Sequence, residues 1–149
     1  MVRDRKIAKS RIILASDHAG FELKELIKNF LYKKGNMITD LGTKNTNSVD
    51  YPDYAHLLSK KISNKKNNFG ILVCGSGTGM VITANKHKNI RAALCYNIKS
   101  TKLSRQHNNA NVMALGARLI KKKVALNCVK IFLKTKFEGG RHLKRIKKI

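Results

Sequence analysis

Short runs of apolar residues alternate along the chain with longer segments in which apolar positions recur every three or four residues. The run Arg11–Ser16 is typical of a buried strand, and Phe21–Lys33, with one apolar face, is typical of a helix that ends before Gly35. Similar patterns predict strands over residues 37–41, 70–73, 91–95 and 112–115 and helices over residues 52–64, 80–86, 98–107 and 121–135. The chain is therefore predicted to repeat strand and helix five times.

This alternation indicates the fold class. Alternating strands and helices favour a parallel sheet with helices on both faces, because each right-handed crossover lays a helix against the sheet. We therefore predict an α/β protein with a three-layer α/β/α, Rossmann-like fold and a five-stranded parallel sheet. The 149 residues correspond to about one domain, which we assign to residues 11–149. Residues 1–10 are predicted to be a basic, disordered extension, and a polar C-terminal tail begins at about residue 137.

The composition excludes several classes of protein. Hydrophobic residues make up 42% of the chain and there is a single proline, which argues against a disordered or fibrous protein. No apolar run approaches the length of a membrane span, and the first residues lack the apolar stretch of a secretory signal. We therefore expect a cytoplasmic protein with no membrane partner.

The three cysteines have neither Cys-x-x-Cys nor zinc-finger spacing. Neither a disulfide framework nor a structural zinc site is therefore expected. Cys95 ends an apolar run and Cys128 lies on the apolar stripe of a predicted helix, so both are predicted to be core residues.

The net charge of +24, from 32 Lys and Arg against 8 Asp and Glu, raises the question of a nucleic-acid partner. The imbalance is concentrated in one part of the chain, since no acidic residue occurs between Asp53 and Glu138. The lysines are spread over the polar faces of nearly every predicted helix, and no arginine-rich or aromatic run marks a surface that binds nucleic acid. We therefore favour a compositional drift toward Lys, Asn and Ile over a nucleic-acid role. Either way, the charge attracts phosphorylated substrates.

The third predicted strand leads through Cys74 into a glycine-rich loop. The loop consists of Gly75, Ser76, Gly77, Thr78 and Gly79. Glycine lets the backbone turn through positive φ and approach a ligand, so the loop amides can converge on one oxyanion or phosphate. The helix predicted next adds unpaired N–H groups and a partial positive charge at the same point. A thiol beside such a terminus ionises more readily, so Cys74 is a candidate base or nucleophile as well as a small apolar residue.

The same loop must be weighed as a nucleotide-binding motif. Its pattern is G-x-G-x-G, not G-x-G-x-x-G, and it follows the third strand instead of the first. The acidic residue that would bind a ribose hydroxyl about twenty residues later is missing. The loop also lacks the Lys-Ser/Thr ending of an NTPase phosphate loop. NAD and nucleoside triphosphates are therefore discounted.

Polar residues also lie near the ends of other predicted strands. Asp17 and His18 follow the first strand, Arg118 follows the fifth, and His107 lies between the fourth and fifth. The carboxyl ends of parallel strands form the edge at which α/β proteins bind ligands, so we expect these residues to lie with Cys74 along one edge. Taken singly, Asp17 could be a helix N-cap and His107 a histidine at a helix end. Their joint placement favours a site.

Eight motifs follow one another in a characteristic order. They are Ser-Asp-His-Ala-Gly at residues 16–20, Asp-Leu-Gly-Thr at 40–43, Asp-Tyr-Pro at 50–52, Cys-Gly-Ser-Gly-Thr-Gly at 74–79, Ser-Arg-Gln-His-Asn at 104–108, Asn-Val at 111–112, Ala-Leu-Gly-Ala-Arg at 114–118 and Glu-Gly-Gly-Arg-His at 138–142. In these motifs, over nearly the whole chain, the sequence resembles the type B ribose-5-phosphate isomerases, a family that includes galactose-6-phosphate isomerase subunits.

The resemblance implies an aldose–ketose isomerase that interconverts ribose 5-phosphate and ribulose 5-phosphate through a cis-enediolate in the non-oxidative pentose phosphate pathway. It implies no metal and no organic cofactor. By the family pattern Cys74 is the base that moves a proton between C1 and C2, His107 is the acid that assists ring opening, and the amides of residues 75–79 form the anion hole. The family also acts on allose and galactose 6-phosphates, so an isomerase of a six-carbon sugar phosphate stays open as the alternative.

The resemblance also implies how the substrate is held. Ser76 is expected to hydrogen-bond the sugar, and Asp17 and Asn108 to orient its hydroxyl groups. The residues expected to clamp the phosphate are His18, Arg118, Arg141 and Arg145. In this family the pocket is shared across a homodimer interface, with His107 and the tail arginines coming from the partner of the chain that supplies Cys74. Whether dimers pair into tetramers is left open.

Overall fold

The computed structural model describes residues 11–62 and 67–149, so the predicted extension over residues 1–10 lies outside the described part. In chain order the elements are β1 (Arg11–Ser16), α1 (Phe21–Lys33), β2 (Met37–Asp40), α2 (Tyr51–Ile62), β3 (Phe69–Cys74), α3 (Thr78–Ala84), β4 (Ala92–Leu94), α4 (Ile98–Asn108), β5 (Val112–Gly116), α5 (Lys122–Lys134) and α6 (Arg141–Ile146). None of these helices is both long enough and apolar enough to cross a membrane.

The five strands are all parallel and lie in the order β2-β1-β3-β5-β4. The predicted α/β fold with a five-stranded parallel sheet is confirmed. From β1 the chain builds the sheet first toward β2 and then, in the opposite direction, toward β3. At such a switch point the connections leave toward opposite faces and open a crevice at the carboxyl ends of the strands. The fold thus predicts a ligand site at the ends of β1 and β3.

Each face of the sheet packs against its own helices, because successive strand residues point to opposite faces. Helices α1 and α5 cover one face, with α4 packed on α5, and α2 and α3 cover the other. On the first face the buried strand residues are Ile12, Leu14, Ile71, Val73, Met113 and Leu115. On the second they are Ile13, Ala15, Leu72, Cys74, Val112 and Ala114. The predicted core positions of Cys95 and Cys128 are confirmed, since both are buried in the first cluster.

The element boundaries differ from the prediction mainly at the glycine-rich loop and at the C-terminus. Strand β3 includes Cys74, and α3 begins at Thr78, two residues earlier than predicted. The polar tail, in which the apolar pattern predicts no element, forms α6. This helix has six residues and buries one of them, His142, so it has too little apolar periodicity to be recognised from sequence.

A buried lysine on α1 holds the loop that follows β2. Lys24 is 1% exposed, and its Nζ donates to both carboxylate oxygens of Asp40, at 2.9 and 2.7 Å, and to Glu25 at 3.0 Å. Lys28 donates to the same two carboxylates, and Asp40 also accepts the N–H of Gly42 at 2.9 Å. Burying an ammonium group is costly unless it is paired, so these contacts are what allow Lys24 to lie inside.

We expect this network to make the stability of the protein sensitive to acid. Burial by itself would raise the pKa of Asp40, but the hydrogen bonds from Lys24 and Lys28 outweigh it and lower that pKa. The pKa of Glu25 is lowered in the same way, by Lys28 and Lys24 against the effect of burial. A carboxyl whose pKa is lower in the folded chain adds stability above its unfolded pKa of about 4, and this is lost as the pH falls through the folded pKa.

Urea unfolding at about pH 7 and about pH 3 tests this expectation. Asp40→Asn should destabilise the protein clearly at neutral pH, where it leaves Lys24 without its main partner, and much less in acid, where the parent carboxyl is itself being protonated. Glu22→Gln, an exposed change on the same helix, is the matched control and should change stability little at either pH. An Asp40→Asn difference that stays the same at both pH values would contradict the expectation.

Candidate active site

The parallel register brings the ends of β1, β3 and β5 side by side. Beyond the strands the ladder continues into the loops: the N–H of Asp17 donates to the carbonyl of Val73 at 3.2 Å, and that of Ala117 to the carbonyl of Cys74 at 2.8 Å. The N–H of Arg118 donates to the carbonyl of Gly75, the residue after Cys74, at 3.0 Å. Asp17, Cys74 and Arg118 are therefore neighbours at the carboxyl edge, as the sequence predicts.

A pocket of about 430 Å³ opens at this edge. Its lining residues are Asp17, His18, Ala19, Tyr51, Cys74, Gly75, Ser76, Gly79, Arg118 and Leu119. Most of them are residues that the sequence analysis assigned to the site. Of the other assigned residues, Gly77 and Thr78 belong to the same loop without lining the pocket, whereas His107, Asn108, Arg141 and Arg145 lie elsewhere in the chain.

The glycine-rich loop turns its backbone toward the cysteine. Gly77 has φ 79°, a left-handed conformation that side chains with a Cβ rarely adopt, and its N–H donates to Cys74 Sγ at 3.1 Å. The N–H of Thr78 donates to Ser76 Oγ at 3.4 Å. Two of the five loop amides are thus used inside the loop.

A second close approach fastens this loop to β5. A Cβ added to Gly116 would lie 2.6 Å from the carbonyl oxygen of Ser76 and 2.9 Å from its Cα. Both contacts are with backbone atoms, so a side chain at Gly116 would force the whole loop to move. The absence of a side chain there lets the loop sit directly over the end of β5, beside Arg118.

Asp17 and His18 are held by backbone N–H groups. Asp17 is buried, and its Oδ1 accepts the N–H of Gly20 at 3.0 Å. Gly20 is the N-cap of α1, and no side chain caps that helix, so the alternative role of Asp17 as a helix cap is not observed. His18 Nδ1 accepts the N–H of Val49 at 3.2 Å, which leaves Nε2 as the nitrogen that carries a proton.

Tyr51 is a pocket residue that the sequence analysis missed, although it lies in the Asp-Tyr-Pro motif. It begins α2, is 40% exposed, and lies so close to Gly79 that a Cβ there would be 2.5 Å from its ring. An aromatic residue at the start of a helix has no periodic signature of function, so only the motif itself could have indicated it. Tyr51 therefore lines the pocket beside Gly79.

His107 lies at the other end of the sheet from Cys74 within one chain. It belongs to the last turn of α4, after which the chain returns to the beginning of the strands, where Asn111 accepts the N–H of Gly70. The residues from Gly70 to Cys74 along β3 span roughly 13 Å. The prediction that His107 shares an edge with Cys74 is therefore wrong for a single chain. A crossover helix runs antiparallel to its strands, so topology alone could have indicated this.

The tail residues lie at the same end as His107. Helix α6 packs against α4, and the N–H of Glu138 donates to the carbonyl of Gln106 at 3.1 Å. Arg141 and Arg145, one turn apart on α6, are both exposed. In one chain the tail arginines are thus grouped with His107 and Asn108, away from the Cys74 pocket.

Arg105, part of the Ser-Arg-Gln-His-Asn motif, is a structural residue. It is 7% exposed and donates to the carbonyls of Thr135 and Ala110. Its guanidinium lies 5.0 Å from the ring centroid of Phe69 and 5.6 Å from that of Phe132. Burial lowers its pKa. Arg105 therefore ties α4 to α5 and the sheet, with its charge compensated by carbonyl groups and aromatic faces.

Three side chains in the tail region offer donors of the kind that bind metals. Ligand atoms of His107, Glu138 and His142 all lie within 4.8 Å of one another. The two imidazoles, however, are stacked, with ring centroids 4.2 Å apart and 12° between their planes. Imidazole lone pairs lie in the ring plane, so two parallel stacked rings do not direct them at one ion. The arrangement fits a stacked pair better than a metal centre.

Comparisons with known proteins show the family and the fold of the chain. The sequence model of a family described as Ribose/Galactose Isomerase matches residues 12–149. The chain is 47% identical over 138 residues to a putative sugar phosphate isomerase of Rickettsia bellii, covering 93% of this chain and 96% of that protein. It is similar to the structure of a ribose 5-phosphate isomerase from Thermotoga maritima, with a TM-score of 0.91 and 50% identity, covering 93% and 96% of the two chains. It is also similar to ribose-5-phosphate isomerase B from Mycoplasma genitalium with bound ribulose 5-phosphate, with a TM-score of 0.90 and 43% identity over 93% and 92%.

We expect Cys74 to be the first cysteine that alkylating reagents modify. Cys74 is only 4% exposed, but it lines the pocket and its sulfur accepts an N–H, whereas burial raises the pKa of Cys95 to about 11 and also raises that of Cys128. Brief iodoacetamide treatment near neutral pH, followed by peptide mass spectrometry, should give on the order of tenfold more label on Cys74 than on either other cysteine. Cys74→Ser should abolish the fast reaction. Equal labelling of Cys95 or Cys128 in the folded protein would contradict this description.

Proposed function

The chain belongs to the ribose/galactose isomerase family, and on that premise we propose that it is an aldose–ketose isomerase that interconverts ribose 5-phosphate and ribulose 5-phosphate. One observation carries the proposal: Cys74 lines the pocket at the switch point of the sheet, between Asp17 and Arg118. A relative whose structure holds ribulose 5-phosphate, at 43% identity, supports this substrate.

Cys74 is the proposed base. As a thiolate it removes the proton from C2 of open-chain ribose 5-phosphate, so that an S–H bond forms, C1 and C2 become doubly bonded and negative charge develops on O1. The proton of the C2 hydroxyl passes to O1, and the thiol returns its proton to C1. The product is the C2 ketone, with no net change in protons. The position of Cys74 supports this role, since it lines the pocket and its sulfur accepts the N–H of Gly77 at 3.1 Å.

The loop is the proposed anion hole for the enediolate. The pocket is lined by Gly75, Ser76 and Gly79. The backbone of this loop is held in place because Ser76 packs directly against Gly116 at the end of β5. Donors that are held in place before the reaction stabilise a developing oxyanion without reorganisation, and one such donor contributes about 3 kcal/mol. Ser76 also offers a hydroxyl to the sugar, and Asp17 a carboxylate to its hydroxyl groups.

Positive groups are proposed to bind the phosphate. Arg118 lines the pocket beside Gly75, where a Cβ would lie 3.0 Å from its Nη1. His18 offers Nε2 because its Nδ1 is already occupied. Arginine suits this task because its planar fork donates two hydrogen bonds to one phosphate. Arg141 and Arg145 are proposed to complete the clamp from a second subunit.

We propose a homodimer with shared sites, because a single chain does not assemble one. His107, Asn108 and the tail arginines lie at the end of the sheet away from Cys74, so they reach a pocket only in a partner chain. Large apolar side chains that are 60–78% exposed in the single chain suit burial at an interface. They include Ile82, Tyr96 and Leu119. In this arrangement His107 is the acid that assists ring opening.

The proposed setting is the non-oxidative pentose phosphate pathway in the cytoplasm. All three cysteines are free, as in a reducing compartment, and the net charge of +24 favours small phosphorylated substrates. The family description also includes galactose, so a six-carbon sugar phosphate is the second candidate substrate.

A coupled assay across ribose 5-phosphate, allose 6-phosphate and galactose 6-phosphate tests class and substrate together. We expect ribose 5-phosphate to be converted with the highest kcat/KM, and Cys74→Ala to lower kcat roughly 10³-fold, because the proton-transfer group is lost. Cys128→Ala is the matched control: it should keep turnover but lose about 1 kcal/mol of unfolding free energy, because it leaves a small cavity in the core. Full turnover by Cys74→Ala would show that the catalytic assignment is wrong.

Mixing two inactive variants tests the shared site. Cys74→Ala and His107→Ala are denatured together and refolded, so that about half of the dimers contain one chain of each kind. Such a mixed dimer has one site with both residues intact, and the mixture should therefore recover about a quarter of the parent activity. Each variant refolded alone is the control. A mixture as inactive as its components would show that Cys74 and His107 do not act across an interface.

A further inference from the structure

We propose that His142 is a positioning residue for His107, which holds the imidazole of the catalytic acid in the orientation from which it protonates the ring oxygen of the sugar. The inference rests on the proposed function, because it takes His107 as the acid that opens ribose 5-phosphate in the partner's pocket. His142 belongs to the polar tail, where the apolar pattern gives no reason to expect a buried side chain.

The tail is fastened to the end of α4 next to His107. The N–H of Glu138 donates to the carbonyl of Gln106, the residue before His107, at 3.1 Å. Two glycines with positive φ then reverse the chain, and the N–H of His142 donates to the carbonyl of the first of them, Gly139, at 3.1 Å. These backbone contacts place the first turn of α6 directly against His107.

The two imidazoles form a close stack. His142 is 7% exposed, and its ring centroid lies 4.2 Å from that of His107, with 12° between the ring planes. At this separation the faces are in van der Waals contact, so the His107 ring cannot turn about its bond to Cβ without meeting its neighbour. A catalytic acid at an exposed helix end would otherwise sample several orientations. The stack therefore selects one of them.

Burial and the charges around the stack act on the pKa of His142. Two stacked imidazolium ions would repel each other. His142 is the ring that stays neutral, because burial, His107 and Arg141 lower its pKa, as does Arg145, against the raising effect of Glu138. Glu138 Oε2 lies 3.7 Å from His142 Nε2. A neutral aromatic ring against the face of His107 is compatible with its protonated form, which is the form that an acid needs.

The two sugars differ in whether they need this acid. Ribose 5-phosphate closes to a furanose, and opening it breaks the bond between C1 and the ring oxygen, which gains a proton while the C1 hydroxyl loses one. Ribulose 5-phosphate stays open-chain, because the oxygen that would close its ring carries the phosphate. Exchange of a C1 proton of ribulose 5-phosphate with solvent therefore needs Cys74 but not His107. The two substrates separate the positioning of the acid from the chemistry of the base.

Two rates are measured for each full-length variant: turnover of ribose 5-phosphate, and incorporation of solvent deuterium at C1 of ribulose 5-phosphate by NMR, both at saturating substrate. We expect His142→Ala to lower turnover of ribose 5-phosphate roughly tenfold while deuterium incorporation stays within about twofold, because only the acid is displaced. His142→Phe keeps a flat ring in the stack and should restore most of the turnover. Lys144→Ala, an exposed change on the same helix, is the control and should alter neither rate.

Unchanged turnover in His142→Ala, equal loss of both rates, or failure of His142→Phe to restore turnover would each overturn the positioning role. Thermal unfolding of each variant separates a displaced ring from an unfolded chain, and His142→Phe keeps the proposal testable if His142→Ala loosens the tail. A parent protein that shows neither rate would overturn the proposed function instead. The two failures are thus distinguishable.

Discussion

The register of β3 between β1 and β5 is the constraint on which the site depends. Ser16 pairs with Val73 and Cys74 with Gly116, so the three strands end at the same level, and the N–H of Asp17 extends the ladder into the loops. Because side chains alternate between faces, a slip of one residue would turn Cys74 toward the core beneath α1 and α5 instead of toward the pocket. The apolar packing that sets the register therefore also determines the face of the sheet on which Cys74 lies.

Contacts between the loops around the pocket hold the candidate site in place before substrate binds. Gly116 lets the loop lie over the end of β5, and Gly77 points its N–H at the sulfur. On the other side, Lys24 and Asp40 hold the loop after β2, whose Gly42 accepts the N–H of the last residue of β1. Each contact costs little conformational entropy, because the residues on both sides of it are already held by strands or helices. Together the contacts restrict movement of the loops around the pocket.

In the proposed homodimer, each chain contributes two half-sites at opposite ends of its sheet. The carboxyl edge offers the proposed base Cys74, backbone amides and Arg118, and the far end offers His107 with the tail. A two-fold axis that sets one end of each chain against the other end of its partner completes two sites at once. In that proposed arrangement catalysis depends on assembly, and the polar tail with its buried His142 has a role at the partner's pocket.

Apolar periodicity determined the fold class and most of the elements, and β1 and α1 agree with the prediction residue for residue, because burial on a strand or a helix face leaves a local pattern in the sequence. The glycines after Cys74 likewise indicated the loop that lines the pocket, since a backbone that must approach a ligand needs them. The strand order, the burial of Lys24, helix α6 and the end of the sheet at which His107 lies were decided only by the tertiary structure. Each depends on contacts between residues far apart in the chain, such as Lys24 with Asp40 or His107 with the tail, and such contacts leave no local periodicity to read.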